Sequence, residues 1–298
     1  MNRFAFKVRS NLPDTGDNVG DERMKIELHC HSTASDGMRT PEELVAAALE
    51  KNIDVLALTD HDTVENLETV RQLCQEAGIS FIPGIELSCE HQEESVHILG
   101  YFKDRDYQDP ILRRRLQRFQ EQRDFRALEI ARRLKQHFNI EIDLSRLDPK
   151  EGSSLGRPHI AQLIHEKYGT EFQEIFKLYL GNHSKAYIPS SRIPISSGIS
   201  MLKDAGATVI LAHPGNYKKT SFEDLMTFGF SGAECYYATH SAEETRRFVH
   251  HCLAEDLLIT VGSDDHGRPG DVKHRPLGST KFKPRHLIPF LERFGIRS

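Results

Sequence analysis

The stretch Lys25-Ile26-Glu27-Leu28-His29-Cys30-His31-Ser32 sets a short strand-like alternation of charged and apolar residues directly before two histidines that flank one residue. In a strand, alternate side chains share a face, so both imidazoles point the same way while Cys30 points to the other side. Asp36 follows in the loop. Thr40-Pro41-Glu42-Glu43 then reads as a helix start, with an N-cap, a first-turn proline and first-turn acids. An apolar run, Val55–Thr59, ends in Asp60-His61-Asp62. Strand, loop, helix and strand in this order make a βα unit whose polar residues gather where the strands end.

The alternation continues outward. Ser80–Glu86, Val96–Tyr101, Thr208–Ala212, Ala233–Tyr237 and Leu258–Ser263 read as further strands, and helical spacing fits Val64–Ala77, Ser196–Ala205, Ser221–Phe228 and Ala242–Glu255. Seven such strands predict an α/β barrel with a mainly parallel sheet rather than an open sheet. Residues 103–191 break the pattern. Leu112, Leu116 and Phe119, then Leu128, Ala131 and Leu134, recur at three- and four-residue spacing, and further helices fit His159–Tyr168 and Phe172–Leu180. The expected organisation is a loose extension over 1–23, a first barrel part over 24–102, a helical insertion or lid over 103–191, and a second barrel part over 192–298.

Bulk properties limit the function classes. The 298 residues carry a net charge of −5, with 38% hydrophobic and 28% charged residues, which argues against a protein that coats nucleic acid through its overall field. No stretch is long and apolar enough to span a bilayer, and the first residues lack the apolar run of a secretory signal. Five cysteines without CxxC spacing point to a reducing cytoplasm rather than a disulfide framework. Protein partners and oligomeric state leave no mark.

The chemistry is carried by strand ends. His29 and His31 close the first strand, His61 the second and Glu86 the third; His97 lies in the fourth, His213-Pro214 ends the fifth, and Asp264-Asp265-His266 the last. The C-terminal rim of parallel strands is where βα architectures build active sites. Taken singly, His97 is as well read as a core histidine, and Asp264 or Asp265 as a turn cap. Together, imidazoles and carboxylates without thiolate point to Zn2+, Mn2+ or Fe2+. The ligands exceed what one ion needs, so two to three divalent metal ions are expected, with Glu86 as bridging carboxylate. Such clusters activate water and clamp both oxygens of a phosphoryl group.

His29-Cys30-His31-Ser32, Ser35-Asp36-Gly37, Thr59-Asp60-His61-Asp62, Gly84-Ile85-Glu86, His97-Ile98-Leu99-Gly100, Ala212-His213-Pro214 and Gly262-Ser263-Asp264-Asp265-His266-Gly267 resemble, in order, the motifs of the polymerase and histidinol phosphatase (PHP) family. The likeness runs from Met24 to about Phe282. It implies a distorted (β/α)7 barrel with an inserted helical subdomain and a three-metal centre. One ion would fall to His29, His31, Glu86 and Asp264, a second to Asp36, His61 and His266, and a third to Glu86, His97 and His213. Strand alternation favours Asp264 over Asp265, because Asp264 and His266 would share a face; an irregular segment would let Asp265 compete.

Within the insertion, Gly156-Arg157-Pro158-His159 resembles a substrate-binding motif of the family's stand-alone bacterial phosphoesterases, which act on nucleoside 3′,5′-bisphosphates and short 5′-phosphorylated RNA. Arg157 offers a planar fork for phosphate, and His159 a phosphate ligand or proton donor; both are catalytic and substrate-binding candidates. The same four residues would also serve as a plain helix start. The arginines between Arg113 and Arg133 make either a solvated helix face or a track for an RNA backbone.

The expected function is hydrolysis of the phosphate ester of nucleoside 3′,5′-bisphosphates by a hydroxide held between ions. A nucleotide or short RNA is the expected partner, and 5′→3′ exoribonuclease action the alternative. Histidinol phosphatase and a non-catalytic metal-binding domain rank lower. Amidohydrolases also open with HxH, but commonly bridge their metals with a lysine where this chain has Glu86.

Overall fold

A computed structural model describes residues 24–146, 156–189, 192–268, 270–271 and 274–297. The expected extension over 1–23 and the boundary at 191 lie outside the described residues. The elements are β1 (Ile26–Glu27), α1 (Pro41–Glu50), β2 (Val55–Leu58), α2 (Leu67–Ala77), β3 (Ser80–His91), β4 (Glu94–Tyr101), α3 (Pro110–Phe138), α4 (Arg157–Tyr168) and α5 (Phe172–Ile175), which continues as a π turn over Phe176–Leu180. They continue as β5 (Ile193–Pro194), α6 (Ile195–Asp204), β6 (Thr208–Leu211), α7 (Phe222–Met226), β7 (Gly232–Tyr237), α8 (Ala242–Ala254), β8 (Leu258–Gly262) and α9 (Pro284–Arg293).

The strands line up as β1-β2-β3-β4-β6-β7-β8, with β5 beside β3. Backbone bonds from Leu28 N–H to Val261 O (3.2 Å), Asp264 N–H to His29 O (2.8 Å) and His31 N–H to Asp265 O (2.9 Å) draw the first strand to the last, and the sheet becomes a barrel, as expected. The runs from 55 to 58 and from 208 to 211 are buried throughout, which is why they read as apolar runs rather than alternations.

Three expectations change. The third and fourth strands form an antiparallel hairpin, with Glu86 opposite Leu99 and Ser88 opposite His97, so Glu86 sits in mid-strand and not at a strand end. The hairpin turn is Gln92-Glu93, both at positive φ (48° and 58°). Such turns favour Asn-Gly, and without that signal the hairpin was not visible. Asp264 and His266 do not share a strand face: β8 stops at Gly262, and Asp264 turns into the left-handed region at φ 57°. Helix α9 was not expected; Pro289 inside it obscures the spacing of Leu287, Phe290 and Leu291, which are buried against the barrel.

The hydrophobic residues fall into two cores. One fills and surrounds the barrel and includes Leu112 and Leu116 of α3. The other joins Ala127, Ile130 and Leu134 of the same helix to Ile160, Ala161 and Ile164 of α4 and to Ile175 and Leu180. The 29 residues of α3 thus carry the chain from one core into the other.

Candidate metal centre

Residues 29–31 run beside 263–265, which turns His29 and His31 into the barrel mouth while the Cys30 thiol faces Ala57 O at 3.2 Å. Close approach is built in at Gly262, where a Cβ would stand 2.3 Å from His29 Cβ and 2.2 Å from Glu234 Oε1. Glu86 reaches the same point from β3, and its two oxygens divide the surrounding imidazoles. Oε2 lies 3.2 Å from His29 Nε2, His31 Nε2 and His61 Nδ1; Oε1 lies 2.8 Å from His97 Nδ1 and 3.1 Å from His213 Nε2. Asp264 Oδ1 stands 3.0 Å from His31 Nε2 and 3.4 Å from His29 Nε2. Asp36 Oδ1 is 3.1 Å from His266 Nε2 and 3.9 Å from His61 Nε2. All nine side chains singled out from the sequence therefore meet in one place.

Their spacing fits metal ions. Ligand atoms about 2.0–2.2 Å from one ion stand roughly 3.0–3.5 Å apart, the separations found around Glu86 and Asp264. Among the described residues, the buried polar atoms without a hydrogen-bond partner include His29 Nε2, Asp36 Oδ1, His61 Nδ1 and Glu86 Oε2, all aimed into this cluster. Leaving such groups unpaired is costly, and a cation relieves it. The ligand atoms group as His29, His31, Glu86 and Asp264; as His31, Asp36, His61 and His266; as His61, Glu86 and His97; and as Asp264, His266 and His274. The first set equals the one the family resemblance implied. The second adds His31, and the third brings in His61 in place of His213, whose Nε2 meets Glu86 Oε1 at 3.1 Å and whose Nδ1 faces the Tyr217 hydroxyl at 3.5 Å.

The far side of several rings is anchored. His29 Nδ1 bonds Glu234 Oε1 at 2.9 Å, and His266 Nδ1 donates to Asp264 O at 2.8 Å. These partners fix the tautomer and turn the other nitrogen's lone pair inward. Burial disfavours charge on His31, yet its hydrogen bonds to Asp264 and Glu86 outweigh burial and push it up to about 10. Burial likewise opposes ionisation of Glu86 and Asp36, and the surrounding histidines reverse that and hold both carboxyls well below the usual range. His61 is held down to about 4, chiefly by burial.

Several further residues support these ligands, and of their carboxylates only Asp60 and Asp265 stand in motifs read from the sequence. Glu234 accepts from the His213 backbone N–H at 2.8 Å as well as holding His29. Glu27 accepts from the N–H groups of His29, Ser263 and Gly278. Asp60 binds the hydroxyls of Ser32 and Ser35 at 2.5 Å each, and the Tyr237 hydroxyl donates to Asp264 Oδ2 at 2.9 Å. Glu27 and Glu234 carried a signal, since each is a carboxylate inside an otherwise apolar strand. His274, fixed by Asp271 at 2.7 Å, stacks on His266 with ring centroids 4.3 Å apart. Asp265 points away from the cluster to Arg39.

Arg157 and His159 open α4 above the cluster. Arg157 Nη1 donates to Leu180 O and Asn182 Oδ1 at 3.0 and 3.1 Å. His159 Nδ1 accepts from Gly156 N–H at 3.0 Å while Nε2 faces Ser35 O at 3.1 Å, an arrangement that needs the Nε2–H tautomer. Burial lowers its pKa, so NMR at neutral pH is expected to report a neutral His159 ring carrying its proton on Nε2. A charged ring there would contradict the acceptor role of Nδ1.

Two cavities open on the cluster. The wider, about 1290 Å³, is lined by Asp36, His61, His97, His213, Asp264 and His266, with Lys218 and with Arg268, whose Nη2 donates to Asp36 O at 2.6 Å. The narrower, about 400 Å³, shares Asp36, His61 and His97 and is walled by Arg123, Arg126, Arg157 and Arg192.

Residues 27–189 match the model of the PHP domain family. The chain belongs to the PHP family. A 5′-3′ exoribonuclease of Haemophilus influenzae is 30% identical over 278 residues, covering 91% of this chain and 99% of the relative. A 3′,5′-nucleoside bisphosphate phosphatase of Chromobacterium violaceum is 28% identical over 267 residues, covering 87% and 92%. A solved structure from Bifidobacterium adolescentis, described as a metal-dependent phosphoesterase, matches with TM-score 0.78 and 28% identity over 91% of this chain and 96% of that one. The chemistry of this PHP protein is accordingly metal-dependent phosphoester hydrolysis. No helix among the described residues is long and apolar enough to cross a membrane.

Proposed function

We propose that this PHP protein hydrolyses the phosphate ester of nucleoside 3′,5′-bisphosphates. The observation that carries the reading is the arginine-walled cavity sharing Asp36, His61 and His97 with the metal cluster. A substrate with two phosphates finds one anion site at the cluster and a second beside it. Arg123 is partnered by Asp62 at 3.0 Å, whereas the hydrogen bonds of Arg157 go to a carbonyl and an amide oxygen, so its charge stays available to phosphate. Burial and the neighbouring Arg157 and Arg123 hold Arg126 down to about 10, the mark of crowded cations that an anion would relieve.

Two to three divalent ions, Mn2+, Zn2+ or Fe2+, fit the ligand sets, and when bound they supply Lewis acidity and water activation. Glu86 holds the imidazoles around a common point, Glu234 and Tyr237 fix the orientation of His29 and Asp264, and Arg157 grips the phosphate that is not cleaved. His159, with both ring nitrogens engaged, ties the start of α4 to the Ser35 loop and so sets where Arg157 stands. The wider cavity opens on the same ligands and leaves room for a departing nucleotide, which favours, as a second reading, cleavage of a phosphodiester.

The test is steady-state kinetics with Mn2+ on 3′-phosphoadenosine 5′-phosphate, AMP, histidinol phosphate and 5′-phosphorylated oligoribonucleotides. The bisphosphate is expected to exceed AMP in kcat/KM by roughly 100-fold, and equal turnover would remove the second-phosphate argument. Arg157→Ala is expected to lower kcat/KM on the bisphosphate by roughly 10- to 100-fold and to leave AMP nearly unchanged. A uniform loss on both would assign Arg157 to the fold instead.

A further inference from the structure

The arginines of α3 fall into distinct groups. The helix carries eight arginines and one lysine against three carboxylates, in a chain whose net charge is −5. Arg113 pairs with Glu65, and Arg132 and Arg133 both pair with Glu129. Arg123 meets Asp62, and Arg126 Nε donates to Ile188 O at 2.9 Å. Arg114, Arg115 and Arg118 have no hydrogen bond or ion pair among the described residues, and all three are exposed. Three neighbouring cations without carboxylate partners form a local anion-attracting stripe.

Next to that stripe lies a groove of about 530 Å³ between α3 and the segment at Ile188 and Pro189. Arg118, Gln122 and Phe125, spaced four and three residues apart, face it from one side of the helix. Phe125 is 72% exposed, which leaves most of its ring open to solvent at the groove. Arg126 lines this groove and also walls the narrow cavity at the metal cluster. The two cavities are therefore neighbours on either side of the Arg126 side chain.

We infer that this face of α3 receives single-stranded RNA beyond the nucleotide held at the metal centre, with Phe125 stacking a base and Arg114, Arg115 and Arg118 following the backbone. The inference rests on the proposed action on nucleotides. The groove suits a base better than another phosphate: Glu121 and Glu129 put negative charge along its walls, while Ile188, Pro189 and the Phe125 ring give it apolar surface. Bases are neutral and stack on aromatic rings, and phosphates take the arginines. Alternation of the two surfaces is what a single strand presents.

The test compares Phe125→Ala and the triple variant Arg114→Ala, Arg115→Ala, Arg118→Ala with the unaltered full chain. Turnover is measured on 3′-phosphoadenosine 5′-phosphate and on a short 5′-phosphorylated oligoribonucleotide, and binding of the same labelled RNA by fluorescence anisotropy. Phe125→Ala is expected to weaken RNA binding and raise its KM about tenfold, with kinetics on the bisphosphate unchanged. The triple variant is expected to flatten the dependence of log affinity on log salt by about 2. Variants that bind RNA as tightly as the unaltered chain, or that lose activity equally on both substrates, overturn the assignment of the groove. If the unaltered chain turns over neither substrate, the reading of its function has failed; the anisotropy comparison still decides the groove.

Discussion

Glu86→Gln is expected to lower kcat by on the order of 10³-fold and to leave the purified protein with fewer ions per chain. Glu86 touches five imidazoles, three through one oxygen and two through the other, so no other residue joins the ligand sets in the same way. Glutamine keeps the shape but removes the charge and puts an amide N–H where a lone pair is needed. Elemental analysis beside the kinetics separates this from misfolding: circular dichroism and thermal unfolding of the metal-stripped variant should match those of the stripped parent. Normal kcat with a full metal complement would show that Glu86 is dispensable as a bridge.

The second large effect concerns the ions themselves. Stripping the protein with a chelator should abolish hydrolysis and lower Tm by on the order of 10 °C, since a ligand bound only to the folded state stabilises it by mass action. The pH behaviour should then differ between the two forms. In the stripped chain His31 stands well above its usual value, so its charged form contributes stability that is complete below about 6.5 and is lost as pH rises towards about 10. Tm of the stripped protein should fall across that window. Metal loading displaces the proton, so the loaded protein should not show this fall, and metal affinity should rise with pH. Tm measured with and without Mn2+ across the window checks both signs; parallel curves would contradict the displacement of protons by metal.

Much of this was legible in the sequence for a physical reason. Buried parallel strands are continuous apolar runs, and the charged groups that interrupt them stand out, which is how His29, His31, His61 and His213 could be singled out. Glu86 and His97 converge from the two strands of a hairpin and not from two strand ends, and a hairpin closed by Gln92-Glu93 leaves no turn signature. Asp264 was selected by strand alternation where the backbone in fact turns at positive φ. Residues that act at one remove, Glu234, Asp60 and Tyr237, depend on contacts across 21 to 28 positions or more, and periodicity holds no information about those. The arginine-walled cavity draws on α3, α4 and the segment before β5, so its four guanidinium groups become neighbours only once the chain has folded.

Helix α3 has a consequence for how the molecule can be rebuilt. Its first half is embedded in the barrel and its second in the smaller core, so it acts as a continuous beam rather than a hinge. On the proposed function, such a beam would present Arg123 and Arg126 to a substrate from a fixed wall, so that selectivity would come from a rigid gauge and not from a closing jaw. Exchange of the helical region between relatives would succeed only with a splice inside α3, between Leu116 and Ala127, where one core ends and the other begins. Cuts at the ends of the insertion would leave half of each beam in a foreign socket.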